Sequence, residues 1–472
     1  MILSFAPIAL LIFLLFSAVQ LFGADASYGP NQVALLIASA CAGLVGMYRG
    51  LTWSDIQESM VAGIKVGLGP ILILLAVGGL IGSWMISGTV PAMIYFGVSI
   101  LNPSIFFAAA AVICALASIS IGSSWTVAGT LGIGLMGIAD SYGLPPAMAA
   151  GAIISGAYFG DKLSPLSDTT NLAAACTNVD LFAHIRHMLW TTVPAFCIAL
   201  LFFSLMDSGA ATEPEQIAAL RAAISEEFNV GIGVLTPLLV MLILIWRRVP
   251  AYPAIMLATV AGVLTALTLQ TDVVTKFALT VNPETNMPIV EGLWRTLFAG
   301  FEGTTSSEEL NRLISKGGIA SMLNTVWLIV SALAFGGVLE RTGILQQILD
   351  AVLKAVKSTG DLVVATVTGG IVTNILAADQ FLAIALPGRL FCKTYDDFNL
   401  SRENLSRTLE DSATMTSALI PWNTCGAYMA ATLGVATFEY APYAIFNIMC
   451  PLIAIAFGYL AFQQKAAVTP AA

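Results

Sequence analysis

Eight stretches of this chain contain no Asp, Glu, Lys or Arg: residues 3–22, 31–48, 67–87, 188–206, 231–246, 252–270, 318–338 and 441–462. A helix rises 1.5 Å per residue, so a run of roughly twenty such residues spans the ~30 Å hydrocarbon core of a bilayer. In that core a segment must satisfy its own backbone hydrogen bonds, which makes these runs helices. Composition agrees: of 472 residues 58% are hydrophobic and 10% charged, against about 25% charged in a soluble domain. The expected fold is an all-α polytopic membrane protein.

Several function classes fall away. A net charge of −9 gives a polyanion nothing to bind, so no nucleic-acid partner is expected. Seven cysteines are present without a C-x-x-C pair; they read as small packing residues. With only His184 and His187, the H-E-x-x-H zinc motif is excluded, and no P-loop exists. Gly132, Gly134 and Gly137 form a G-x-G-x-x-G inside an apolar helix with no strand before it, and read as a packing face. Ala24-Asp25-Ala26 resembles a signal cleavage site. The run before it lacks a basic n-region and is long for a leader, so a retained first helix is expected.

Four further stretches are apolar but broken: 103–140, 145–178, 361–392 and 402–436. They carry Ser118–Ser124, Gly160–Asn171, Asn374 with Asp379-Gln380, and Glu410-Asp411-Ser412 followed by Pro421–Gly426. Polar breaks of this kind survive at membrane depth only where protein or a cavity covers them. They also meet one another across the two halves. Gly132 answers Gly388, Leu144 answers Leu400 and Pro165 answers Pro421, each at an offset of 256, and Gly78 answers Gly336 at 258. The expected organisation is a first repeat over 1–206, an acidic external linker over 207–230 and a second repeat over 231–465, with an insertion as a long loop at 271–315. Basic residues such as Arg49, Arg247, Arg248, Arg341 and Lys465 are placed in the cytoplasm by the positive-inside rule. Five crossings per half then make the repeats inverted, with re-entrant hairpins, broken transmembrane helices and both termini cytoplasmic. That is the architecture of a secondary transporter.

The densest polar segment is 160–171, where Asp161, Ser164, Ser167, Asp168, Thr169 and Asn171 surround Pro165 within an apolar stretch. A buried charge is costly unless paired, hydrated or bound to an ion. Carboxylate, hydroxyl and amide oxygens suit a hard cation such as Na⁺, or Li⁺ by the same chemistry. A carboxylate that takes either the cation or a proton is the minimal antiport device. Asp161, Asp168, Asp411 and Asp379 are the candidate ion- or proton-binding carboxylates. Ser123, Ser124, Ser164, Ser167, Asp168, Thr169, Asn171, Asn423 and Thr424 are the candidate Na⁺ ligands. The competing reading is that these hydroxyls cap broken helices. Lys162 is expected to pair with Asp161 or to face a lipid headgroup, and Arg389 to neutralise a carboxylate, hold an organic anion or snorkel. No cofactor is called for beyond the transported Na⁺ and H⁺.

Gly160-Asp-Lys-Leu-Ser-Pro-Leu-Ser-Asp-Thr-Thr-Asn-Leu-Ala173, followed by His184-x-Arg-His187, closely resembles the signature of the NhaC family of Na⁺/H⁺ antiporters. Asp411-Ser-Ala-Thr414 and Ile420-Pro-Trp-Asn-Thr-Cys-Gly426 look like its second-half motifs. The resemblance implies a multi-pass protein of the bacterial inner membrane and a homodimer with a scaffold and a moving transport domain. It also implies an alternative cargo, since the family includes exchangers of malate for lactate coupled to Na⁺ and H⁺. An intramembrane aspartyl protease is disfavoured, because Tyr158 stands where its G-x-G-D motif needs the first glycine.

Overall fold

The computed structural model describes residues 2–23, 26, 28–206, 214–305 and 307–461. Ala24 and Asp25 of the cleavage-like motif, residues 207–213 of the linker and Lys465 lie outside the described residues. Among the described residues eight helices are long and apolar enough to cross a membrane, or up to ten if each of two bent pairs counts as one. The chain is a multi-pass helical membrane protein.

The first half begins with α1 (Ile2–Phe22), α2 (Pro30–Tyr48), α3 (Trp53–Val66), α4 (Leu68–Ile86) and α5 (Thr89–Ile100). A helical hairpin follows. Its first arm is α6 (Phe106–Ile121); its second is α7 (Ser124–Val127), a π-turn at Ala128–Gly132 and α8 (Ile133–Ser141). Next comes a broken helix, α9 (Pro146–Leu163) and α10 (Asp168–Thr177), and then the long α11 (Leu181–Leu205).

The acidic linker is not a bare loop: its described part forms α12 (Pro214–Glu227). The span expected at 231–246 is helical from α13 (Thr236–Trp246), and α12 meets the segment Ile232–Trp246 at 88°. After α14 (Ala251–Leu269), the insertion expected as a loop also folds, into α15 (Thr271–Val281), α16 (Pro288–Phe298) and α17 (Glu308–Ile314). The reason is local amphipathicity: Val273, Val274, Phe277 and Leu293 supply a buried stripe. Gly82 of α4 takes α16 so closely that a Cβ there would stand 2.3 Å from the Thr296 carbonyl.

The second half repeats the order of hairpin and broken helix. It runs through α18 (Leu323–Arg341) and α19 (Ile344–Lys354) to a hairpin of α20 (Thr359–Ala377) and α21 (Gln380–Asp397). The broken helix comprises α22 (Arg402–Leu409), a π-turn at Glu410–Thr414, α23 (Met415–Ser417) and α24 (Thr424–Leu433). The chain closes with α25 (Thr437–Tyr440) and α26 (Ile445–Tyr459).

Small residues let these helices touch, as apolar solvent on the outside requires. Gly156 and Gly160 of α9 form a packing face on α6: a Cβ on Gly156 would lie 2.1 Å from the Ala111 carbonyl, and one on Gly160 2.3 Å from that of Ala115. Gly134 and Gly137 of the G-x-G-x-x-G receive Met93 and Ile94 of α5. All seven cysteines are free thiols.

Candidate ion-binding site

The two hairpin tips and the two helix breaks are where backbone groups lose their helical partners, and the polar residues gather there. α9 ends at Leu163 because Pro165 cannot donate to the ladder. Ser167 then restarts the chain as α10, its Oγ accepting from the Thr170 amide at 3.4 Å, which puts Asp168 and Thr169 in the first turn. The first hairpin turns at Gly122, whose φ of +74° is left-handed and whose missing Cβ would sit 2.7 Å from that of Leu166. The tip of the first hairpin therefore rests directly on the break in α9–α10.

Asp161 joins the two. One carboxylate oxygen accepts from the Ser124 amide at 2.9 Å and from the Ser124 hydroxyl at 2.7 Å, capping the second hairpin arm from a different helix. A cavity of about 520 Å³ opens beside this contact; its polar lining includes Ser123, Thr126, Asp161, Ser167, Asp168, Thr169, Gln380 and Arg248. Asp168 is exposed into it, while Asp161 is 7% exposed. Trp125 forms part of the wall and stacks on Tyr428 of α24 with ring centroids 4.0 Å apart.

Not every candidate ligand reaches this cavity. Ser164 is buried and its Oγ accepts from the Leu166 amide at 3.3 Å. Asn171 donates to the carbonyls of Pro165 (2.9 Å) and Ser167 (2.7 Å), closing the break like a clip. Asn423 caps α24, accepting from the Cys425 amide at 3.0 Å and donating to Asn374 Oδ1 at 3.1 Å. The Thr424 amide donates to the carbonyl of Ala378, a residue at φ 57° on the second hairpin tip. Asp379 caps α21 through the Leu382 amide at 2.8 Å and lines a separate cavity of about 810 Å³, with Glu58, Glu340 and Arg341 in its walls. Arg389 is exposed and lies outside the first cavity.

Asp411 is not in the cavity either. It forms a fully buried ion pair with Lys162, so Lys162 turns neither to Asp161 nor to a headgroup. The reason is geometric: Asp161 faces the hairpin tip, and the next residue of a helix points about 100° away, toward the π-turn at Glu410–Thr414. Thr191 of α11 donates to the same Asp411 oxygen at 2.9 Å, and Arg407 lies 4.0 Å from the other. Arg407 also donates to His187 Nε2 at 3.1 Å, and His184 meets Ser406 at 2.8 Å. Two further charged groups stand in this region, Glu410 and Arg248. Glu410 is fully buried; its place in a polar break within an apolar stretch was the available signal. Arg248 lines the 520 Å³ cavity, and nothing in the Arg247-Arg248 pair marks it out in the sequence.

Comparison with known proteins gives this arrangement a family. Residues 156–462, from within α9 to beyond α26, match the Na⁺/H⁺ antiporter family. The chain belongs to that family. The antiporter is 40% identical over 434 residues to the Na⁺/H⁺ antiporter NhaC of Alkalihalophilus pseudofirmus, covering 91% of this chain and 89% of that one. It is 36% identical to the malate-2H⁺/Na⁺-lactate antiporter of Bacillus subtilis, covering 91% and 89%. It is also 36% identical to the Na⁺/H⁺ antiporter NhaC of Bacillus subtilis, covering 91% and 92%. The antiporter's carboxylates at 161, 168, 379 and 411 all fall inside the matched region, whereas its first hairpin tip at Ser123–Ser124 lies before it.

Proposed function

We propose that this protein is a secondary transporter that exchanges Na⁺ for H⁺ across the bacterial inner membrane by alternating access. One observation carries the reading: carboxylates of Asp161 and Asp168 and hydroxyls of Ser123, Ser167 and Thr169 line a single cavity at the meeting of a hairpin tip and a helix break. Oxygen donors in that setting replace part of the hydration shell of a small hard cation. Two carboxylates on one cavity repel each other, and a cation bound between them relieves that repulsion. Li⁺ fits the same donors. The inverted relation of the two halves, the cytoplasmic placement of both termini and a homodimer complete the proposal. If the ions move in unequal numbers, the membrane potential adds ~2.3 kcal/mol per net charge per 100 mV.

A second reading, Na⁺- and H⁺-coupled exchange of small carboxylates, is favoured by Arg248, a fixed cation in the wall of the same cavity. The test of both is reconstitution in liposomes with an entrapped pH dye. A pulse of NaCl without organic acid should change internal pH, and choline chloride should not. A response that appears only when malate or lactate is supplied would select the second reading.

A further inference from the structure

Three carboxyls, one ammonium and one guanidinium meet where Lys162 of α9 reaches the π-turn of the second broken helix, with His187 of α11 bonded to Arg407 at 3.1 Å. Lys162 and Asp411 form the buried ion pair, and Arg407 stands 4.0 Å from the second Asp411 oxygen. Asp161 and Glu410 are the other two; Lys162, Asp161 and Asp411 all act electrostatically on Glu410. Three carboxyls thus face two cations. Asp411 has both cations beside it and a hydroxyl from Thr191. Asp161 has two donors from Ser124 and a wall of the cavity. Glu410 is 0% exposed, and neither of its oxygens makes a hydrogen bond of good geometry; Thr414, one turn on, is the hydroxyl in its reach. The other groups around it are Cys450 on α26, which contacts the same Lys162, and on α20 the neutral Asn374, which bonds the Ala413 carbonyl within the turn.

A carboxylate with that burial and no strong donor would carry a heavy desolvation cost. A neutral carboxyl removes the cost and brings the five-group cluster to zero net charge. The π-turn makes the placement possible: the extra residue in the turn re-aims the side chains at Glu410 and Asp411, so adjacent acids both face the protein interior.

We propose that Glu410 carries the transported proton, on a carboxyl separate from the Na⁺ cavity. This rests on the Na⁺/H⁺ reading above and deepens it. Na⁺ entering beside Asp161 adds positive charge near Glu410, which favours release of its proton to water of the cavity. Departure of Na⁺ restores the field and draws the proton back. Competition between the two ions then needs no shared ligand atom, only the Coulomb coupling through Asp161, which is reciprocal by thermodynamic necessity.

The experiment compares wild type, Glu410→Gln and Glu410→Asp in proteoliposomes, reading ²²Na⁺–Na⁺ exchange and Na⁺-driven pH change side by side. In Glu410→Gln, Na⁺–Na⁺ exchange should persist and the pH signal should fall at least ~10-fold; Glu410→Asp should restore part of the signal with a displaced pH profile. Full Na⁺–H⁺ exchange with the wild-type profile in Glu410→Gln overturns the proposal. So does loss of Na⁺–Na⁺ exchange in both variants, which marks a structural role. Infrared difference spectra of the purified wild type provide a readout independent of transport: the carbonyl stretch of a protonated carboxyl should be present near neutral pH and absent from Glu410→Gln. A wild type silent to Na⁺ but retaining that band refutes the exchange reading alone; a band that survives in Glu410→Gln refutes the proton site alone.

Discussion

Lys162 and Asp411 form an ion pair in which neither side chain is exposed, and the pair ties the broken helix of the first half to that of the second. Removing one partner strands a charge in the protein interior. Lys162→Met and Asp411→Asn should each cost about 3–5 kcal/mol, whereas replacing both should cost well under the sum. Thermal unfolding of the four proteins in detergent closes the cycle. Additive losses would show that the two residues act independently.

Asp161 and Asp168 line one cavity but have different duties. Asp168 is exposed into the cavity and makes no hydrogen bond that holds the fold, so Asp168→Asn should abolish Na⁺-driven pH change and leave the melting temperature unchanged. Asp161 also caps the hairpin through two hydrogen bonds to Ser124. Asp161→Asn should therefore lose exchange and also destabilise the protein by roughly 1.5–3 kcal/mol, the range for hydrogen bonds to a charged group. Ser124→Ala separates these effects: part of the stability loss should appear with exchange retained. Wild-type exchange in Asp168→Asn would remove that residue from the mechanism.

Much of this was legible in the chain itself. Six of the eight charge-free runs appear as single spanning helices and the other two, 231–246 and 441–462, within bent pairs, while Pro103–Ile121 and Thr359–Ala377 are long, apolar helices inside stretches that read as broken. The polar breaks at 160–171 and 420–426 marked where helices would end, since Pro165 and Pro421 cannot continue a ladder. What could not be read was direction. Asp161 and Lys162 are neighbours in sequence, yet successive helix residues point about 100° apart, and only the packing of α9 decides that one faces a hairpin tip and the other the π-turn at Glu410–Thr414. The π-turn that turns Glu410 inward inserts one residue into the helical repeat, which no periodicity argument anticipates. The helices of the insertion at 271–315 are not visible in a search for spanning runs, because they are short and amphipathic.

Asn423 is bonded within the fold and does not line the 520 Å³ cavity. As a Na⁺ ligand it would lower cation affinity when replaced. Its amide instead bridges Asn374 on α20 and its oxygen caps α24. Asn423→Ala should destabilise the protein by about 1–3 kcal/mol through the buried groups it leaves unpaired, with the Na⁺ dependence of exchange unchanged in the folded fraction. A selective rise in the Na⁺ concentration for half-maximal exchange would return Asn423 to the ion site.

The pH dependence of exchange should not arise at the contact between α3 and α18. Asp55 is held down to about 2, first by the Thr52 hydroxyl and amide and then by Arg341, which reaches it at 2.9 Å. A carboxyl lowered in the folded state contributes stability above its unfolded value and loses it only as pH falls through the folded one. That window closes far below any pH at which transport runs, so the contact stays charged throughout. Asp55→Asn should leave the pH profile of exchange superimposable on wild type between pH ~6 and ~9. A shifted profile would place a proton-sensing role at this contact.

Close approach of α6 and α9 positions Asp161 against the hairpin tip, and Gly156 permits it. A methyl group on Gly156 would stand 2.1 Å from the Ala111 carbonyl oxygen and 2.8 Å from its carbon, both backbone atoms that cannot swing aside. The helices would have to separate, and the tip at Ser124 would move off Asp161. Gly156→Ala should thus cost 1–3 kcal/mol or more by overpacking, and should weaken Na⁺-driven exchange even in the fraction that folds. Gly231, with nothing within 4 Å of its missing Cβ, is the matched control; Gly231→Ala should stay within about 0.5 kcal/mol of wild type. Melting temperature and exchange rate measured on both variants decide the matter: equal behaviour would mean that the α6–α9 spacing is not what sets the site.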